Sequence, residues 1–185
     1  LRRTYKEFVN VIPLKQNELR EQKVYWRDVD KLASTEFTFT RFLIPHLNNY
    51  KGLAVFCDSD MVFLTDAHHL FQNVFKDDSK AVWVVKNDYN PPEGLKMEEK
   101  MQWQYPRKNW SNFMIFNCAH PSCKNLDLET VNNETGAYLH RFEWCDDSEI
   151  GELGPEWNWL VGHYKEPVDG TPNVLHYTEG GPWFE

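Results

Sequence analysis

Asp58 and Asp60 are residues whose type and spacing suggest chemistry. Side chains at i and i+2 of an extended chain point to the same side. Two carboxylates held that close repel one another and resist burial. A hard divalent cation with oxygen ligands relieves both costs, so Mn²⁺ or Mg²⁺ shared with a ligand's phosphates is the chemistry the pair suggests. The plain alternative is a solvated turn or a helix cap, because Asp-x-Asp is a short and common pattern. Position favours the metal. The unbroken apolar run Leu53-Ala54-Val55-Phe56-Cys57 ends directly at Asp58, and open α/β sheets bind ligands where their strands end.

Two unlike enzymes use such a pair. A nucleotide-sugar transferase holds a metal with it and neutralises a departing diphosphate. A phosphohydrolase similar to the haloacid dehalogenase superfamily uses the first aspartate as nucleophile and the second as acid/base. Cys57-Asp58-Ser59-Asp60-Met61-Val62-Phe63 fits the second pattern as well, with Asp146-Asp147 available as a distal acidic pair. A third reading, without catalysis, is a metal-dependent carbohydrate-binding module that uses tryptophans as platforms.

The elements that must position these residues are legible in outline. Residues 53–57, 81–85 and 112–117 are apolar runs that read as buried strands, and the first looks like a strand covered on both faces of a parallel sheet. Met61 to Leu64 continues the chain after the aspartates. Phe8 to Leu14 reads as a short strand stopped by Pro13, and residues 15–22 as polar and helix-tolerant. Ser34 or Thr35 is a candidate N-cap for a helix running to Leu43 and broken near Pro45. Residues 126–142 read as one helix. The tail from Gly154, rich in glycine, proline and tryptophan, is expected to be held by something other than regular strand pairing. Alternating strands and helices give an α/β layer architecture with mixed strand order.

Composition sets limits. The chain has 185 residues, 41% hydrophobic and 15% aromatic, which suits one domain with a sizeable core and excludes a disordered chain. No apolar run is long enough for a membrane-spanning helix. Twenty Lys and Arg against 28 Asp and Glu leave a net charge of −8, which argues against nucleic acid as a partner. An acidic protein that handles phosphates must import positive charge, and a divalent cation does so. The four cysteines, Cys57, Cys118, Cys123 and Cys145, form no CxxC pair and read as buried reduced thiols rather than zinc ligands or disulfides. The first residues carry no apolar stretch after their charges, so the expectation is a cytoplasmic chain without a signal peptide. On that expectation the sequons at Asn109 and Asn133 carry no meaning.

The wider pattern resembles a known family. Ser34-Thr35-Glu36-Phe37-Thr38-Phe39-Thr40-Arg41-Phe42-Leu43-Ile44-Pro45, followed by Leu53 to Asp60, is similar to the signature of family-eight-type glycosyltransferases of the GT-A fold, the relatives of glycogenin and bacterial galactosyltransferases. The likeness resumes at Trp110 to Asn117, Asp146-Asp147 and Pro155-Glu156-Trp157-Asn158. It ends at His176-Tyr177-Thr178-Glu179-Gly180-Gly181-Pro182-Trp183. The resemblance implies a Rossmann-like nucleotide-diphospho-sugar transferase fold, with a mixed central sheet flanked by helices, over residues 1–185 as one catalytic domain. In that fold Phe8 to Leu14 corresponds to the second strand, so the first would precede Leu1. The implied reaction moves a sugar from a nucleotide-sugar donor, UDP-sugar favoured, to a hydroxyl of a glycan or other acceptor. Asp58, Asp60 and His176 are the implied ligands of Mn²⁺ or Mg²⁺. Arg41, Ser59, Gly180 and Gly181 are the implied contacts to donor and phosphate. Asp147, Asp146 and Asp88 are the implied catalytic carboxylates, with Glu149 close by. Gly181 stands where the family carries a Lys, and Asp146-Asp147-Ser148 keeps the family's Asp-Gln-Asp in part. Trp110, Trp157, Trp159 and Trp183 are candidates for stacking on sugar rings.

Overall fold

The computed structural model describes residues 10–28, 38–74, 77–87, 107, 109–164 and 170–181. Its strands are β1 (Leu53–Cys57), β2 (Met61–Phe63), β3 (Val82–Val85), β4 (Phe113–Asn117), β5 (Ile150–Leu153), β6 (Trp159–Leu160) and β7 (Val174–His176). Its helices are α1 (Gln16–Glu21), α2 (Ile44–Leu47), α3 (His68–Val74), α4 (Leu128–Asn133) and α5 (Gly136–His140). The main sheet has the order β1-β4-β3-β5, and a smaller sheet has the order β2-β7-β6. In the main sheet β4 runs antiparallel to β1 and β3, whereas β3 and β5 are parallel. Three strands therefore end at one edge of the sheet, and Asp58 leaves β1 at that edge.

Side-chain alternation divides the core into two layers, one on each face. Val82, Val84, Met114 and Phe116 face the layer built with Phe42, Leu43, Val131, Leu139 and Trp144. Trp83, Val85, Phe113 and Ile115 face Leu70 and Val74 of α3 and Val174 of the small sheet. Both faces are covered, which is why β1, β3 and β4 read as continuous apolar runs. Trp83 lies directly opposite Gly151 across the β3–β5 ladder. The indole occupies the space a side chain at that position would need.

Several sequence expectations need correction. The Leu53–Cys57 strand is paired antiparallel with β4, not in a parallel ladder; a run covered on both faces looks the same in either. Residues 10–15 form no strand, and Val11 and Ile12 are exposed. Pro45 does not break a helix but stands in the first turn of α2, where its missing N–H costs nothing, after a 3₁₀ turn at Thr40–Leu43. Ser34 and Thr35 lie outside the described residues. The span 126–142 is two helices rather than one: Asp127 and Thr135 each cap a new start by accepting from the N–H three residues on. The tail from Gly154 is held by regular pairing after all, because β7 lies between β2 and β6.

Buried Asn132 ties residues 24–28 to α4. Its Oδ1 accepts from the Trp26 and Arg27 N–H groups, and its Nδ2 donates to the Val24 and Leu128 carbonyls. The Gly151 contact gives the first test. A Cβ there would stand 2.2 Å from Trp83 Cδ1, and Trp83 is too buried to swing away. Gly151→Ala is expected to cost roughly 1–3 kcal/mol, read as a lower urea midpoint. An unchanged midpoint would show that the indole has room to move.

Candidate metal centre

Asp58-Ser59-Asp60 is the link by which the chain passes from the main sheet to the small one. Each end is pinned by the backbone. The Asp58 N–H donates to the Asn112 carbonyl (3.0 Å), and the Asp60 carbonyl accepts from the Tyr177 N–H (3.1 Å). Met61 then pairs with His176 across β2 and β7, so the strand register itself sets the imidazole beside the second aspartate. Ligand atoms of Asp58, Asp60 and His176 all lie within 4.8 Å of one another. Among the described residues these three alone form such a group of His, Cys, Asp and Glu side chains. Two ligands on opposite sides of an ion with bonds of about 2.1 Å are about 4.2 Å apart, so the cluster needs only a small contraction to close on a cation.

His176 is 1% exposed, and its Nε2 lies 3.3 Å from Asp60 Oδ1. That oxygen is buried yet accepts no hydrogen bond, an arrangement that costs free energy unless something positive meets it. Two hard carboxylate oxygens and one borderline nitrogen suit Mn²⁺ or Mg²⁺, and three protein ligands leave room in a six-coordinate shell for phosphate oxygens. The residues present fit the ion that the sequence implies.

Arg41 stands behind this cluster. It is 4% exposed. Its Nη2 is 3.1 Å from Asp58 Oδ1, its Nη1 donates to the Ser111 carbonyl (2.9 Å), and its guanidinium lies over the Phe56 ring. The structure thus sets Arg41 against Asp58, as a support for that carboxylate. Ser59 is exposed at the crest of the link. Gly180 adopts φ +105, which glycine tolerates, and its N–H closes a turn onto the Tyr177 carbonyl (3.1 Å). Gly181 follows, half-buried.

The acidic pair expected to act near the sugar is elsewhere. Phe56, Met114, Val84 and Glu152 form one row across the main sheet. Asp58 lies two residues beyond that row, and Asp146 and Asp147 precede Ile150 on its other side. The separation is roughly 13 Å along the strands and roughly 14 Å across them. The structure does not bring Asp146 or Asp147 to the trio. Asp146 caps a 3₁₀ turn in a reciprocal box with Glu149, and Asp147 pairs with Arg107 at 2.5 Å. Glu149 accepts from the Ser122 hydroxyl, which lowers its pKa below the usual carboxylate range. The distance also removes Asp146-Asp147 from a phosphohydrolase site built on Asp58. Asp88 and Trp183 lie outside the described residues. Trp157 is buried in the core, Trp110 packs against the helical layer, and Trp159 is half-buried against Tyr164.

The cysteines are free thiols and are not ligands of this cluster. Burial, aided by the neighbouring Asp58 charge, pushes Cys57 up to about 11; burial likewise raises Cys118 to about 11 and Cys145 to about 12. No described helix is long and apolar enough to cross a membrane.

No family model matches the chain. Protein CDI of Arabidopsis thaliana is 46% identical to it over 181 residues, covering 96% of this chain and 69% of that protein. The chain belongs to the Protein CDI family. Among solved structures, mouse xyloside xylosyltransferase 1 shares its fold, with a TM-score of 0.50 at 12% identity over 88% of this chain and 71% of that one. A viral glycosyltransferase involved in glycosylation of the PBCV-1 major capsid superposes with a TM-score of 0.47 at 12% identity, over 90% of this chain and 85% of that one. The mixed α/β, Rossmann-like transferase fold expected from the sequence is the fold observed.

In this Protein CDI relative, sequence reasoning gave no role to Asn158, Ser111 or Asn112. The structure sets all three around the trio. Asn158 Oδ1 is 2.7 Å from His176 Nδ1, and the Ser111 and Asn112 carbonyls receive Arg41 and the Asp58 N–H. Their signal was present in the matched segments Trp110–Asn117 and Pro155–Asn158, but neutral side chains carry no charge pattern to mark them. His140, behind Ser111 with its Nδ1 2.8 Å from the hydroxyl, is pushed down to about 3 by burial first and the Arg41 charge second. The unfolded chain takes up this proton below about 6.5, and the folded protein resists it. The stability from His140 is therefore intact above about pH 6.5 and is lost as pH falls towards about 3. The melting temperature is expected to drop between about pH 7 and about pH 5, and less so in His140→Gln. Equal slopes in the two proteins would assign the effect to another group.

Proposed function

We propose that the protein is a metal-dependent glycosyltransferase, moving a sugar from a nucleotide-diphospho-sugar to a hydroxyl acceptor. The observation that carries this reading is the convergence of Asp58, Asp60 and His176 at the ligand-binding edge of the sheet. The fold likeness to a xyloside xylosyltransferase supports it. So does the net charge of −8, which makes an unaided phosphate site on this chain unfavourable.

Bound by the trio, Mn²⁺ or Mg²⁺ would supply positive charge for a departing diphosphate. The chain's own part is to hold the ligand set in place. Asp58 is fixed by Arg41 and by its backbone bond to Asn112, Asp60 by its bond to Tyr177, and His176 by strand pairing on both sides. Ser59, exposed between the aspartates, and Gly181, after the Tyr177–Gly180 turn, are the contacts we assign to donor phosphates. UDP-sugar is the favoured donor and a glycan hydroxyl the favoured acceptor, and the breaking glycosidic bond should have oxocarbenium character.

The test is a thermal-shift titration of the protein with UDP and other nucleoside diphosphates, with Mn²⁺ and with a chelator. UDP should stabilise the protein only when metal is present. Asp58→Asn and Asp60→Asn should each keep the fold and lose that response, with sugar transfer reduced at least about 100-fold. Nucleotide binding indifferent to chelator, or full transfer by Asp60→Asn, overturns the proposal.

A further inference from the structure

An imidazole can ligate an ion through Nε2 only if that nitrogen carries a lone pair, and what Nδ1 is bonded to decides this. Asn158 is fully buried immediately before β6, and its Oδ1 lies 2.7 Å from His176 Nδ1. An amide could present either its oxygen or its nitrogen there. Its other end settles the orientation, because Nδ2 reaches the Asn109 carbonyl at 3.5 Å and a carbonyl can only accept. Oδ1 therefore faces the ring, and an amide oxygen also only accepts. In the neutral ring the proton then sits on Nδ1, leaving the Nε2 lone pair directed at the cleft shared with Asp60 and Asp58.

We infer that Asn158 is a positioning residue of the metal centre, fixing His176 in the tautomer that ligates through Nε2. This rests on the metal-dependent reading above. The anchor for Asn158 is also the anchor for the other arm of the site. Asn109 holds φ +65, a left-handed conformation that Asn tolerates better than most residues, at the start of the 3₁₀ turn Trp110–Asn112. That one turn gives the Asn109 carbonyl to Asn158, the Ser111 carbonyl to Arg41 and the Asn112 carbonyl to the Asp58 N–H. His176 and Asp58 come from strands in different sheets, yet a single short turn reaches both. The spacing of the ligand set is thereby tied to the backbone of residues 109–112 rather than to the strands alone.

The test uses the intact chain with ¹⁵N-labelled histidine, first without metal. Long-range ¹H–¹⁵N correlation should show His176 protonated at Nδ1 in the wild type. Asn158→Leu, branched at the same carbon but without polar atoms, should release the ring to a mixture of tautomers or to the Nε2–H form, and should weaken Mn²⁺ binding by 10–100-fold in calorimetry. Asn158→Asp keeps an acceptor at Nδ1 and should keep both the tautomer and, within about tenfold, the affinity. A merely structural role would lower the melting temperature of both variants without moving the tautomer. Wild-type protein that binds Mn²⁺ with His176 protonated at Nε2 overturns the role of Asn158, whether or not either variant folds. So does an Asn158→Leu protein with unchanged tautomer and affinity. Wild-type protein that binds neither Mn²⁺ nor Mg²⁺, with the tautomer as assigned, overturns the metal centre instead.

Discussion

Two carboxylates are confined to a three-residue link, where the chain crosses from one sheet to another, and their mutual repulsion is the constraint around which the site is arranged. Positive charge has to come from somewhere. Arg41 meets it on the inner side of Asp58, in a buried contact that the Phe56 ring and two acceptors on residues 111–112 hold still. On the outer side Asp60 faces the His176 imidazole. A guanidinium behind one carboxylate and an imidazole beside the other are the groups that meet the pair's charge. A cation between them would complete the charge balance and leave in place the backbone bonds that pin the link.

The two sheets divide the work. The main sheet supplies rigidity: its strands are covered on both faces, and Trp83 is set so close to Gly151 that even a methyl group has no place. The small sheet supplies register. Because β7 pairs with both β2 and β6, His176 is fixed against Met61 on one side and Leu160 on the other. A shift of one residue in either ladder would turn the ring to the opposite face and dissolve the cluster. Three ligands from two distant parts of the chain are aligned because hydrogen-bonded strand register carries the geometry.

The sequence revealed three strands of the main sheet because burial on both faces leaves a long apolar run, and the aspartates because they interrupt one; it missed β5, where Gly151 and the exposed Glu152 break the run. It misjudged the partners. Parallel and antiparallel ladders bury the same residues, so nothing in Leu53–Cys57 distinguished them. The tail after Gly154 looked irregular because β6 and β7 are only two and three residues long, too short for period two to register. The break between α4 and α5 was written in Thr135-Gly136, a cap followed by a glycine at which a Cβ would stand 3.2 Å from Phe39 Cε1, but the apolar periodicity on either side masked it. In the site, charge was legible and support was not. His176 emerged only through likeness to other sequences, and Asn158 and the 109–112 turn act through an amide and main-chain carbonyls that look like any loop.

The two edges of the main sheet differ in a way that bears on function. At the edge where β3 and β5 begin, polar groups are matched: Lys80 reaches the Ser148 carbonyl, Ser122 the Glu149 carboxylate, and Glu149 the Asp146 N–H. Asp146 and Asp147 belong to this closed network, and their charge is spent on capping and on Arg107. At the edge where β1 and β3 end, buried polar atoms lack hydrogen-bond partners among the described residues. They include Asp60 Oδ1, Asn87 Nδ2 and Trp110 Nε1, and Thr178 Oγ1 just beyond β7 joins them. Each unmatched group costs roughly 1–3 kcal/mol. Trp144 Nε1, beside Phe116, is a further unmatched atom nearer the first edge, but most of these costs gather at the second, which is the side better suited to take a ligand. That side holds a carboxylate oxygen suited to a cation and donors suited to oxygen-rich ligands, which complements the sugar–diphosphate proposed above.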